Sequence, residues 1–157
     1  MFDLQTYTLF HVVLSLVGIV AGLVVVGGLM SGVRLDRWTH VFLATTLLTS
    51  ITGFGFPFTG LLPSHMTGIV SLIVLVPCFM ALYLKGLGGG WRKVYVITAV
   101  TALWLNVFVL LAQLFLRVPA LNQLGPTPKD PAFAITQLMG LVLFIVIGRA
   151  AWRGFRN

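Results

Sequence analysis

The chain has 157 residues, enough for one domain, but 59% of them are hydrophobic and only 8% charged, against about 45–50% and about 25% in ordinary globular domains. Ten basic and three acidic residues cannot cover a water-soluble surface of this size, and the mean hydropathy of +1.05 agrees, so composition points to a single all-α transmembrane domain over residues 1–157. The net charge of +7 is not a nucleic-acid footprint, because the basic residues sit at span ends and form no stripe with interleaved aromatics.

A spanning helix needs about 20 mostly apolar residues. The uncharged stretch between Asp3 and Arg34 supplies the first, over about 6–30. It lacks the basic segment and small-residue cleavage site of a signal peptide, so it is expected to stay in the protein. His11, Ser15, Gly18 and Gly22 recur at i, i+4, i+7 and i+11, one stripe of this helix. Gly18 and Gly22 form the GxxxG spacing that admits a second backbone, or a flat ligand, at close range.

The second helix is expected over about 36–52, with His40 near its start. Thr45, Thr49 and Thr52 share a face and need only bond back along their own helix. The run GFGFPF (Gly53 to Phe58) then breaks the apolar stretch. Gly53 and Gly55 permit turn conformations closed to other residues, and three phenylalanines would anchor the turn at the interface or fold it as a lid. Pro63 and Ser64 begin the third helix, about 64–84, with Ser64 as its N-cap. Pro77 should kink that helix by freeing the carbonyl near Ile73. Cys78, the single cysteine, reads as a packing thiol and excludes an intrachain disulfide or a cysteine-built metal site.

LKGLGGGWRK is a glycine-rich hairpin into the fourth helix, about 93–116. Tyr95, Asn106, Gln113 and Arg117 follow at steps of eleven, seven and four and so share one face, with Thr98 at its edge. VPALNQLGPTPKDP, with four prolines, reads as a stiff extended loop. Pro131 suits the first turn of the fifth helix, about 132–152. Five spans result.

Basic residues near span ends set orientation. Arg34, Arg37, Lys85, Arg92, Lys93, Arg149, Arg153 and Arg156 fall on one side, and only Arg117 and Lys129 on the other. That places the first group in the cytoplasm, the N-terminus outside and the C-terminus inside, with Trp38, Trp91 and Trp152 at the cytoplasmic boundary. His11, His65, Gln113, Arg117 and Gln137 then gather toward the outer leaflet, with Gln5 above them and Ser15 and Asn106 deeper. This is the candidate ligand pocket. His40 lies at the opposite side.

The three acids, Asp3, Asp36 and Asp130, all fall outside the spans. Carboxylate proton relays, paired-acid hydrolysis and intramembrane carboxylate metal sites have no residues to use. Three classes of function stay open. The first is a non-catalytic binding or accessory module, a partner of a larger membrane complex or of its own copies, since no catalytic or metal residue set is evident. The second is a redox module docking a quinone or one b-type haem, with His11 and His65 as axial ligands, Gly18 and Gly22 making room, and Arg117 on a propionate. Three histidines allow at most one bis-histidine haem. The third is a small-solute channel or transporter, motivated by the polar face of helix four and Pro77, although five helices do not divide into equal repeats.

At LDRWTHVFLATTLLTSITGFGFPF, LLPSHMTGIVSLIVL and LNVFVLLAQLFLRVPAL the chain resembles a group of small uncharacterised proteobacterial polytopic membrane proteins to which no activity is assigned. The resemblance runs from helix one into helix five. It implies a bacterial inner-membrane protein and draws attention to GFGFPF, Pro63-Ser64-His65, Asn106, Gln113 and Pro119. His40 departs from the group's pattern. A helix-one histidine followed by a short basic turn also resembles, more loosely, families of haem-binding membrane proteins.

Overall fold

Asp3 opens the first helix: its carboxylate accepts from the backbone N–H of Gln5 at 3.4 Å, satisfying one donor that a helix start leaves without a partner. α1 then runs Leu4–Met30, free of charge and proline. Gly32, at φ +75°, helps to turn the chain, and α2 (Asp36–Thr52) returns along α1. A 3₁₀ turn at Gly53–Gly55 prolongs α2. α3 (Pro63–Phe79) passes directly into a π-helical turn at Met80–Leu84. α4 (Trp91–Arg117), the single turn α5 (Pro119–Asn122) and α6 (Pro131–Phe155) complete the order. The computed structural model describes residues 3–57, 60 and 63–156, without the side chains of 63 and 64; the described residues contain no strand.

Four helices are long and apolar enough to cross a membrane: α1, α3 with its π turn, α4 and α6. α2 has 17 residues, about 25 Å at 1.5 Å per residue, short of a hydrocarbon core of about 30 Å. The fifth expected span therefore does not follow from length alone.

α4 is the central element, packed on α1, α3 and α6. Tyr95, Val96, Ala99, Ala102 and Leu103 on it are completely buried. Gly22 of α1 faces this helix. A Cβ there would come within 2.6 Å of Leu103 and 2.8 Å of Phe42, so three helices meet at one missing side chain. Gly154 does the same for the end of α6, where a Cβ would overlap the carbonyl oxygens of Leu29 and Met30.

Cross-helix contacts fix the directions. Thr52 meets Tyr7 and His11, Ser50 meets Ser71, Gln137 meets Phe108, and Phe155 meets Tyr95. Neighbours in sequence are thus antiparallel. The eight basic residues from Arg34 to Arg156 named above collect at one end of the bundle, and Arg117 and Lys129 lie at the other. α6 is the least enclosed of the four long helices.

Pro77 sits inside α3 as expected, and α3 continues to Phe79 before a π turn closed by Lys85 N–H to the Met80 carbonyl at 3.0 Å. Two local features differ from the sequence expectation. The 118–131 connector is not wholly extended, because Pro119–Asn122 form a helical turn. Pro119 costs nothing at its first position, and the Asn122 amide ties the turn to the carbonyls of Phe115 and Leu116. α3 takes in Ser64 rather than starting after it; its side-chain cap, like Phe58, lies outside the described residues.

Candidate functional site

Tyr7 and His11 lie four residues apart on α1 and so point the same way. Both engage the last residue of α2. Tyr7 donates to the Thr52 carbonyl at 2.7 Å, and His11 Nδ1 lies 2.9 Å from Thr52 Oγ1. That hydroxyl also lies 2.8 Å from the Leu48 carbonyl, and when it donates there it accepts from an Nδ1–H of His11. Phe56 packs edge-on against both rings, with centroids 5.0 Å from Tyr7 and 5.2 Å from His11. His65 is buried and stacks on Phe54 at 5.8 Å. The two histidines thus rest on different phenylalanines of one turn.

The other expected pocket residues are bonded within the chain. Arg117 donates to Gln113 Oε1 at 3.0 Å, one helical turn away on the exposed end of α4. Asn106 donates to Thr46 at 3.1 Å, and Gln137 to the Phe108 carbonyl at 3.0 Å. Ser15 returns its proton to Val12. Gly18 faces Thr45, 3.0 Å from where its Cβ would be, and Gly22 faces Leu103 and Phe42. Protein side chains therefore occupy the glycine stripe that the haem reading reserved for a macrocycle.

Among the threonines of α2, Thr45 and Thr52 bond backward as expected. Thr49 does not. Its buried Oγ1 has no hydrogen-bond partner, and neither does Gln137 Oε1.

The sequence reading missed a cleft on the far side of the bundle. Between α4 and α6 lies an open cavity of about 330 Å³, at the lower end of the size of small-ligand sites. Apolar side chains from Ile97 to Trp104 and from Leu141 to Ile145 form its walls, and Lys93, Arg149 and Trp152 stand at the basic end. Ile97 and Ile145, 52% and 54% exposed, show that it opens outward from the bundle. Gly148 leaves space in its wall, where a Cβ would meet only Val100 at 3.4 Å. The readable signal was Lys93 and Arg149 at opposite ends of two antiparallel helices, with a glycine beside the arginine. A smaller cavity of about 180 Å³ lies between α2 and the π turn, lined by Arg34, Asp36, Thr39 and His40. His40 stacks on Tyr83 there at 5.8 Å. Arg34 is ion-paired to Asp36.

Among the described residues no group of three or more histidine, cysteine or acidic side chains is placed to hold a metal ion. No family model, curated protein or solved structure matches the chain.

Proposed function

We propose that the protein is a non-catalytic binding or accessory module of a bacterial inner membrane, and that its binding site is the cleft between α4 and α6. The observation that carries this reading is the cleft itself: about 330 Å³ of outward-opening, apolar-walled space with cations at one end. The opposite end supports it by contrast, since His11, Asn106, Gln113 and Gln137 all bond within the chain.

The same reading takes five crossings, with the N-terminus outside. Support for the fifth comes from register. Leu35 packs on Gly28 and Thr52 bonds Tyr7, so α2 accompanies α1 from residue 28 to residue 7. α2 itself is about 25 Å long at about 1.5 Å per residue, and the 3₁₀ turn Gly53–Gly55 adds about 6 Å at about 2.0 Å per residue, together about the thickness of a hydrocarbon core. Orientation rests on the eight basic residues at one end against two at the other.

Native mass spectrometry of the gently extracted protein tests the binding site. The expected result is a stoichiometric bound molecule that Gly148→Leu removes, because leucine fills the cleft. Retention of that molecule by a folded Gly148→Leu protein overturns the reading. For orientation, a membrane-impermeant maleimide should label Lys129→Cys and spare Gly89→Cys in intact cells, both in a Cys78→Ala background. The reverse pattern inverts the topology.

A further inference from the structure

Among the described residues three of the eight cations at the basic end are engaged within the chain and five are not; of those five, Lys93 and Arg149 alone line the α4/α6 cleft. Arg34 pairs with Asp36, Lys85 lies over the Trp91 ring at 5.6 Å, and Arg92 lies over Phe155 at 5.4 Å. The side chains of Lys93 and Arg149 have no hydrogen-bond, ion-pair or ring partner among the described residues, and both line the cavity. No acid shares the lining. Two cations bordering an apolar space, with no countercharge, call for an anion that brings apolar bulk with it.

The dimensions narrow the class. From Lys93 to Trp104 on α4, and from Leu141 to Trp152 on α6, the lining runs eleven residues, about 16 Å of helix. That is close to half of a hydrocarbon core of about 30 Å, the depth of one leaflet. The walls are apolar below the mouth, and the one hydroxyl in them, Thr101, donates to the Ile97 carbonyl at 2.7 Å.

Resting on the reading of this cleft as the binding site, we propose that it holds an acyl chain of an anionic glycerophospholipid whose phosphodiester sits on Lys93 and Arg149. The lysine stem and the arginine stem lie along the cavity walls while their charged ends reach head-group level, the arrangement by which basic pockets between membrane helices select anionic lipids. Trp152 flanks the mouth, where an amphipathic ring suits the interface.

The test is lipid retention by the full chain, purified into detergent with equimolar phosphatidylglycerol and phosphatidylcholine and read by native mass spectrometry. The expected preference for phosphatidylglycerol is about thirtyfold, the order that two cations give at an anionic surface. Lys93→Gln with Arg149→Gln should bring it to about parity while a lipid is still retained. Arg92→Gln with Arg153→Gln, at the same end but outside the cleft lining, should keep it. Two results overturn the proposal: an unchanged preference in the first pair, or an equal loss in the second pair, which would assign selection to the basic end as a whole. Gly148→Leu, with Thr101→Leu as a second filling variant, separates the two readings. If filling removes retained lipid of both kinds but Lys93 and Arg149 do not select, the cleft remains the site and the anionic lipid is wrong. If filling leaves retention unchanged in a variant with the wild-type melting temperature, the cleft reading fails as well.

Discussion

At one end of the bundle Tyr7, His11 and Thr52 direct their hydrogen-bonding groups at one another; at the other, Lys93 and Arg149 border a cavity and meet no partner described in the chain. The difference follows from what each group can reach. A neutral donor on a membrane helix has no water to fall back on, so leaving it unbonded within the protein costs free energy. A lysine or arginine near a helix end extends a long stem to the interface and needs no internal partner. Polar clustering on helix faces therefore reports how helices are tied together, whereas unpaired cations beside a cavity report what lies outside the chain.

The largest effect should come from breaking the packing that holds the cleft's far wall in place. Gly154→Leu puts a side chain into the carbonyls of Leu29 and Met30, backbone that cannot move aside without separating α6 from α1. The expected cost is about 3 kcal/mol or more, read as a lowered unfolding midpoint in detergent or as loss of the monodisperse species. Gly27→Leu is the control, since a Cβ there meets nothing within 4 Å, and its midpoint should not fall. Equal behaviour of the two variants would remove Gly154 as a packing point.

The paired end sets the next scale. A double-mutant cycle of His11→Ala and Thr52→Val should give a coupling of about 0.6 kcal/mol, and no more than about 1.7, as measured for hydrogen bonds between membrane helices. Zero coupling would dissociate the two side chains. Thr52→Val should also leave the phosphatidylglycerol preference unchanged, because the two ends act separately. A change in that preference would join them.

Helix positions and the basic end were legible in the sequence because both follow from one-dimensional quantities: the length of uncharged runs and the placement of ten basic residues. The stripe of His11, Ser15, Gly18 and Gly22 was legible as a stripe. What it faces was not, since periodicity fixes a face and says nothing of the neighbour; Thr45, Phe42 and Leu103 fill it. The sequence grouped the polar residues of the Arg117 end by height, but height does not decide whether side chains converge. Gln113 bonds Arg117 along its own helix, and Gln137 bonds a backbone carbonyl. The cleft escaped notice because its walls are ordinary apolar residues. It exists through the relative positions of α4 and α6, and only Lys93, Gly148 and Arg149 left a trace of it in the sequence.

Thr49 gives a smaller effect of opposite sign to Thr52. Its Oγ1 is buried without a partner, and an unmade hydrogen bond in an apolar setting is a cost. Thr49→Val keeps the shape and removes the stranded hydroxyl, so the unfolding midpoint should hold or rise, by up to about 1 kcal/mol. A clear destabilisation would mean that the hydroxyl is bonded after all, to water or to a bound molecule.

The smallest expected effect lies outside the spans, in the loop before α6. Asp130 accepts from the Thr127 N–H at 2.8 Å and from its hydroxyl at 2.6 Å. Those bonds hold the carboxyl below its ordinary value of 3.8, the side-chain bond contributing more than the backbone one. A depressed carboxylate pKa stabilises the folded loop above the ordinary value, and the contribution disappears as pH falls through the lower, folded one. Across neutral pH the loop should therefore show no titration. Thr127→Ala removes the larger cause and should move Asp130 back toward 3.8, read from the carboxyl carbon shift in an NMR titration. Because the group is fully exposed, the bundle's unfolding midpoint should not follow. An unmoved titration would show that the hydroxyl bond does not hold in solution, and a moved midpoint would show that this loop is coupled to the packing of α6.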